Sequence, residues 1–213
     1  MKENKKTPKK EPRFTCVNYF CVVEGQQEAL YIHHLSELLN KSSKRRINFN
    51  IKIGKLKDIE KNNVDYDAVL IFDYDFKDVE FERSLSACIK LNKKNKRTKR
   101  NIYHAYSSAC FDLWLILHKK YFDRPVSKAQ GYINEVRRTF NLDSEADIKS
   151  EKIIEDILKQ ITLDDVKKAI ERAEEICQKK LPSDAINIDG DCYYPNPDFS
   201  IHKFLKIVIE KIV

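Results

Sequence analysis

Asp67-Ala68-Val69-Leu70-Ile71-Phe72-Asp73-Tyr74-Asp75 is the stretch on which the fold turns. Its apolar run is nearly continuous, which suits a strand at the centre of a sheet covered on both faces. It ends abruptly in two carboxylates. An earlier run, Tyr19-Phe20-Cys21-Val22-Val23, ends the same way, in Glu24-Gly25. Between the two, Gln26 to Leu39 carries apolar residues close to helical spacing. Ile47, Phe49, Ile51 and Ile53 alternate with polar residues, the pattern of a half-buried strand, and Lys55 to Asn63 predicts a short helix. Beyond Asp75, Phe81, Leu85, Cys88, Ile89 and Leu91 mark a helical face within Val79 to Lys94. Asn101 to Tyr106 predicts a third interior strand and Cys110 to Tyr121 a strongly apolar helix.

Strands alternating with helices in this order predict a parallel α/β sheet flanked by helices. Ligands on such sheets sit at the carboxyl ends of the strands. Glu24, Asp73, Asp75 and Ser107-Ser108 therefore converge on one edge although they are far apart in the chain. An acidic residue at a strand end is often there only for its turn. The convergence is what points to chemistry. In an extended segment, Asp73 and Asp75 face the same way, and both reach one Mg²⁺, a hard cation that takes carboxylate oxygens.

The remainder of the chain predicts a mostly helical C-terminal region, residues 126–213, packed on an α/β core of residues 14–125. Thr162 and Asp165 form a variant of the capping box. Pro182 to Pro195 reads as a loop. Asn196-Pro197-Asp198 reads as the start of a final helix: a cap, a proline at the first helical position and an acid in the first turn. Residues 1–13, rich in lysine with nothing to bury, are expected to be disordered.

The 213 residues carry a net charge of +7 and a pI near 8.9, which favours a polyanionic partner. The charge is uneven: Lys90, Lys93, Lys94, Lys96, Arg97, Lys99 and Arg100 run without an acidic residue between them. Such a run is either a solvated loop or a phosphate-backbone contact. On the second reading Lys93, Lys94, Lys96, Arg97, Lys99 and Arg100 bind nucleic acid. The six cysteines lack zinc-like spacing and read as free thiols of a reducing compartment. No apolar run approaches the roughly 18–20 residues that cross a bilayer, and the lysine-rich start is unlike a secretory signal. The cytoplasm is the expected location, with no membrane contact. His118, one helical turn after Trp114, reads first as a core histidine packed on an aromatic face.

Val23-Glu24-Gly25 with Glu28 and Tyr31, followed by Phe72-Asp73-Tyr74-Asp75, resembles the Toprim fold. The segment Ser107-Ser108-Ala109-Cys110-Phe111-Asp112-Leu113-Trp114-Leu115-Ile116-Leu117-His118 is similar to the Ser-Asn-Pro-x-Phe-Glu-x-Trp-Leu-Leu-Leu-His signature of the RloB-like family. Asn196-Pro197 resembles that family's closing Asn-Pro-Ser-Thr motif. The family's Asn-Pro is Ser108-Ala109 here, its glutamate is Asp112, and the threonine usual before its second glutamate is Gln27.

The resemblance implies a Rossmann-like sheet and a Mg²⁺- or Mn²⁺-dependent nuclease serving as effector of bacterial anti-phage, abortive-infection defence. It implies Asp73 and Asp75 as metal ligands, and Glu24 as a further ligand or a general acid/base. Asp112 is implied as a fourth catalytic carboxylate. DNA, tRNA and other RNA are all open as substrates. An ATPase partner is implied, for which the amphipathic helices after residue 125 offer a surface, as they do for a homo-oligomer. The alternative is a non-catalytic nucleic-acid-binding or regulatory subunit with a degenerate site.

Overall fold

The computed structural model describes residues 16–43, 45–62, 64–95 and 100–212. The expectation for residues 1–13 lies outside these. Strand β1 (Cys16–Val23) leads into helix α1 (Gln26–Ser42), β2 (Arg46–Ile53) into α2 (Leu56–Lys61), β3 (Ala68–Asp73) into α3 (Asp78–Asn95), and β4 (Ile102–Ser108) into α4 (Phe111–Lys119). Then come α5 (Ala129–Thr139), α6 (Glu151–Leu158), α7 (Leu163–Gln178), a hairpin of β5 (Ile186–Ile188) and β6 (Asp191–Tyr193), β7 (Asp198–Phe199) and α8 (Ile201–Ile212).

The fold is α/β. Its main sheet has the order β2-β1-β3-β4-β7. The first four strands are mutually parallel and β7 is antiparallel to β4. The unbroken apolar run of β3 is explained by its place: every residue from Ala68 to Phe72 is buried. Alternate residues supply two cores. Tyr19, Cys21, Val23, Val69, Ile71 and Ala105 face α1, α4 and the C-terminal helices. Phe20, Val22, Ala68, Leu70, Phe72 and Tyr106 face α2, α3 and Tyr193. Each large apolar side chain buried in these layers contributes about 1.5–3 kcal/mol. Trp114 is fully buried in the first layer.

Three expectations change here. The chain from Asn196 does not begin a helix. Asp198 and Phe199 pair with Ser108 and Ser107 of β4, and α8 starts only at Ile201. The Asp198 carboxylate accepts from the Tyr106 hydroxyl (2.7 Å) and the Tyr194 N–H (2.9 Å), so it is a buried anchor and not a first-turn acid. The loop after Pro182 contains the β5–β6 hairpin.

Asp73 and Asp75 do not share an extended segment. The strand ends at Asp73, and Asp75 and Phe76 both take the left-handed backbone, with φ of 50° and 56°. The capping box at Thr162 and Asp165 is present. The six cysteines carry no disulfide, and among the described residues no helix is long and apolar enough to cross a membrane.

Candidate active site

Parallel strands place the ends of β1, β3 and β4 side by side. The pairing aligns Val23 with Ile71 and Asp73 with Ser107. Glu24 thus leaves β1 beside the last residues of β3, and its Oε2 accepts the Asp73 N–H at 3.2 Å. Asp73 points to the α4 side, where its Oδ2 accepts the Phe111 N–H at 3.0 Å, in the first turn of that helix. A carboxylate there is favoured by the helix dipole. The turn after β3 is fastened to the loop after β4: Asp75 N–H donates to Ala109 O (2.8 Å). Glu24, Asp73 and Asp75 line one cavity of about 600 Å³.

Behind them lies a buried layer. Glu28, in the first turn of α1, is only 5% exposed, and its Oε2 has no hydrogen-bond partner. Asp112, 1% exposed, accepts from Gln27 Nε2 at 2.9 Å. Lys149 Nζ stands 3.7 Å from Asp112 Oδ1 and donates to Gln27 Oε1 at 3.1 Å.

Burial, then the neighbouring Glu28 charge, holds the Asp73 carboxyl well above the usual range, although the Phe111 N–H pulls it down. Glu28 is raised by burial and by Glu24 and Asp112, against the pull of Lys149. Glu24 is raised by desolvation, against the Asp73 N–H. Burial alone lowers the Lys149 ammonium, but Asp112 and its neighbours more than reverse this and hold it raised. Like charges crowded at one edge favour protonation or a cation.

A family model described as RloB-like protein matches residues 14–207. The chain belongs to the RloB-like family. No curated protein and no solved structure matches it.

Two departures of this RloB-like chain from its family's pattern meet in space. Gln27 stands where threonine is usual and Asp112 where glutamate is, and the two side chains bond to each other. The longer amide spans what the shorter acid cannot. Glu28 and Lys149 were missed as site residues by the sequence reading. Glu28 had a signal, since it stands with Glu24 in the motif that carries the Toprim resemblance. Lys149 had none: it comes from the connection between α5 and α6 and arrives by tertiary packing.

The described residues of the basic run do not line this cavity. Helix α3 starts at the carboxylates and runs back for 18 residues, about 27 Å at the helical rise. Lys93 and Lys94 therefore lie at the opposite pole. Lys93 binds Asp189 O. Arg100 is turned inward, 8% exposed, and donates to Asn62 O at 2.8 Å. Lys96, Arg97 and Lys99 lie outside the described residues. The cations that do border the carboxylates are Lys55, Lys57, Lys77 and Arg83.

His118 is fully buried between Tyr31 and Trp114. Its Nδ1 pairs with Trp114 O (2.9 Å), which fixes the proton there and leaves Nε2 to accept from the Tyr31 hydroxyl (3.1 Å). Burial lowers its pKa to about 4. It is a neutral support beneath α1 and α4.

Ser200, His104 and Asp191 line up like a nucleophile, base and acid. Ser200 is 1% exposed, however, and its Oγ already accepts the Tyr106 N–H (2.9 Å) and donates to His104 O (3.2 Å). That group ties α8 to β4.

Proposed function

We propose that this chain is a divalent-metal-dependent phosphodiesterase, a nuclease acting as effector in bacterial anti-phage defence with an ATPase partner. The carrying observation is the crowding of Glu24, Glu28, Asp73 and Asp75 at one strand edge, with Lys149 as the cation set among the buried acids. The donor set is all carboxylate oxygen, which suits Mg²⁺ or Mn²⁺. Glu28 Oε2, buried and unpartnered, is a donor lacking a counterpart. Among the described residues no three such side chains already stand as an assembled ion-binding group.

Asp73, Asp75 and Glu28 would hold the ion, which supplies charge stabilisation at the scissile phosphate and lowers the pKa of a bound water. Glu24 is exposed and lies on the solvent side of the cluster. Its raised pKa suits it to accept a proton from the attacking water. Asp112, held by Gln27 and Lys149, positions the buried layer and does not touch substrate.

Purified protein incubated with single-stranded DNA, duplex DNA and total RNA tests this. Cleavage in Mg²⁺ or Mn²⁺ that stops in EDTA and in Asp73→Asn supports it. Cleavage that survives either, or none on any substrate with its ATPase partner present, overturns it.

A further inference from the structure

We propose that the groove beside the carboxylates binds a single-stranded stretch of nucleic acid, with a base stacked on Phe76 and the phosphates on Lys55, Lys57 and Arg83. This rests on the nuclease reading and names its substrate class.

The first observation is Phe76 itself. It is 39% exposed, and its backbone is left-handed, as is that of Asp75 before it. Asparagine and aspartate adopt that conformation with help from their own side chains; a phenylalanine has no such help. The turn is held by its flanks, through Asp75 N–H to Ala109 O and Lys77 N–H to Tyr74 O (3.0 Å). Phe76 stands between two residues that line the cavity, Asp75 and Lys77. Behind it the rings of Tyr74 (6.1 Å between centroids) and then Phe81 (5.3 Å) form a buttress reaching into the core. The ring is thus presented to solvent on a fixed support.

The second observation is the charge of the cavity that Asp75 and Lys77 line. Lys55, Lys57 and Arg83 line the same cavity, and among the described residues none of the three has an ion-pair partner. Lys55 and Lys77 are close enough to Glu24 to lower its pKa. Cations without an ion-pair partner, in a cavity lined by both chain neighbours of an exposed aromatic ring, are the parts of a single-strand site: cations follow the backbone and the ring takes a base. Bases inside a duplex are covered on both faces by their neighbours and cannot use such a ring.

Binding, not cleavage, tests this. Fluorescein-labelled oligo(dT), oligo(U) and a blunt duplex of equal length are titrated with the full chain in Ca²⁺, a cation that carboxylates also bind, and anisotropy is read. The expected result is tighter binding of a single strand than of duplex, with preference between the first two probes identifying the sugar. Phe76→Ala weakens single-strand binding about 5- to 100-fold and leaves the salt dependence unchanged, while Phe76→Trp preserves it. The Lys55→Ala/Lys57→Ala pair flattens the logarithmic salt slope by about 0.7 per lost phosphate contact.

Duplex bound as tightly as single strand, no single-strand binding, or Phe76→Ala without effect overturns the proposal. A chain that passes this test yet cleaves nothing removes the nuclease reading alone.

Discussion

Gln27 donates to Asp112 at 2.9 Å across 85 positions of sequence, and at both positions the resemblance to the RloB-like signature implies another side chain. One side chain is longer than usual and the other shorter. The pair therefore behaves as a unit: changing Gln27 leaves a buried acceptor without its donor, and changing Asp112 displaces the acceptor of a buried donor.

Gln27→Thr and Asp112→Glu are each expected to lower stability by about 1–3 kcal/mol. The double variant, which restores the family's usual pair, recovers most of that loss. Denaturant midpoints for the four proteins measure the coupling. Additive losses would show that the two side chains act separately.

Glu28→Gln removes a buried charge from a crowd of like charges and is expected to raise the melting temperature in EDTA by a few degrees. The same change is expected to abolish any upward shift on adding Mg²⁺ or Mn²⁺, because the unpartnered oxygen is where the ion gains most. A thermal melt with and without metal reads both effects. Stability and function pull in opposite directions at such a position.

Glu24 accepts a main-chain N–H, which an amide oxygen can do as well. Glu24→Gln should therefore leave the melting temperature within about 1 °C of the parent, since little free energy is lost. Cleavage is expected to fall about 100-fold or more, the usual scale for loss of a general base. A parallel loss of stability would mean that the carboxylate is structural.

Acid should weaken the fold through its buried histidines. His118 and His202 both have pKa values of about 4 in the folded chain, lowered chiefly by burial, against about 6.5 when unfolded. Between those values the unfolded chain binds protons that the native chain refuses, so stability is full above pH 6.5 and is lost as pH falls. Each histidine accounts for at most about 3 kcal/mol. The raised carboxyls of Asp73 and Glu28 work the other way, taking up protons in the folded state first and gaining stability on acidification. His202 Nδ1 has no hydrogen-bond partner, so His202→Leu should shrink the difference between pH 7 and pH 5 denaturant midpoints. An unchanged difference would assign the acid sensitivity elsewhere.

The sheet was readable in the sequence because burial on both faces leaves a composition that few other structures produce, as in Ala68 to Phe72. The meeting of Glu24 and Asp73 was readable because parallel strands all end on the same edge. What failed depended on local backbone or on distant pairing. The left-handed turn at Asp75 and Phe76 has no glycine to announce it. Asn196-Pro197-Asp198 carries every mark of a helix start, yet a strand partner 90 residues earlier, β4, claims Asp198. Lys93 and Lys94 lie near the end of α3, and a helix carries the chain away from the edge where it began.

The short strand β7 joins the last helix to the strand beside the carboxylates. Phe199 and Asp198 grip Ser107 and Ser108; the next residue, Ala109, holds the Asp75 N–H. Two hydrogen-bonded steps thus connect the chain's C-terminal helix to the carboxylates. That path is main chain throughout, with no side chain as intermediary, and it ends at the edge where the acids converge.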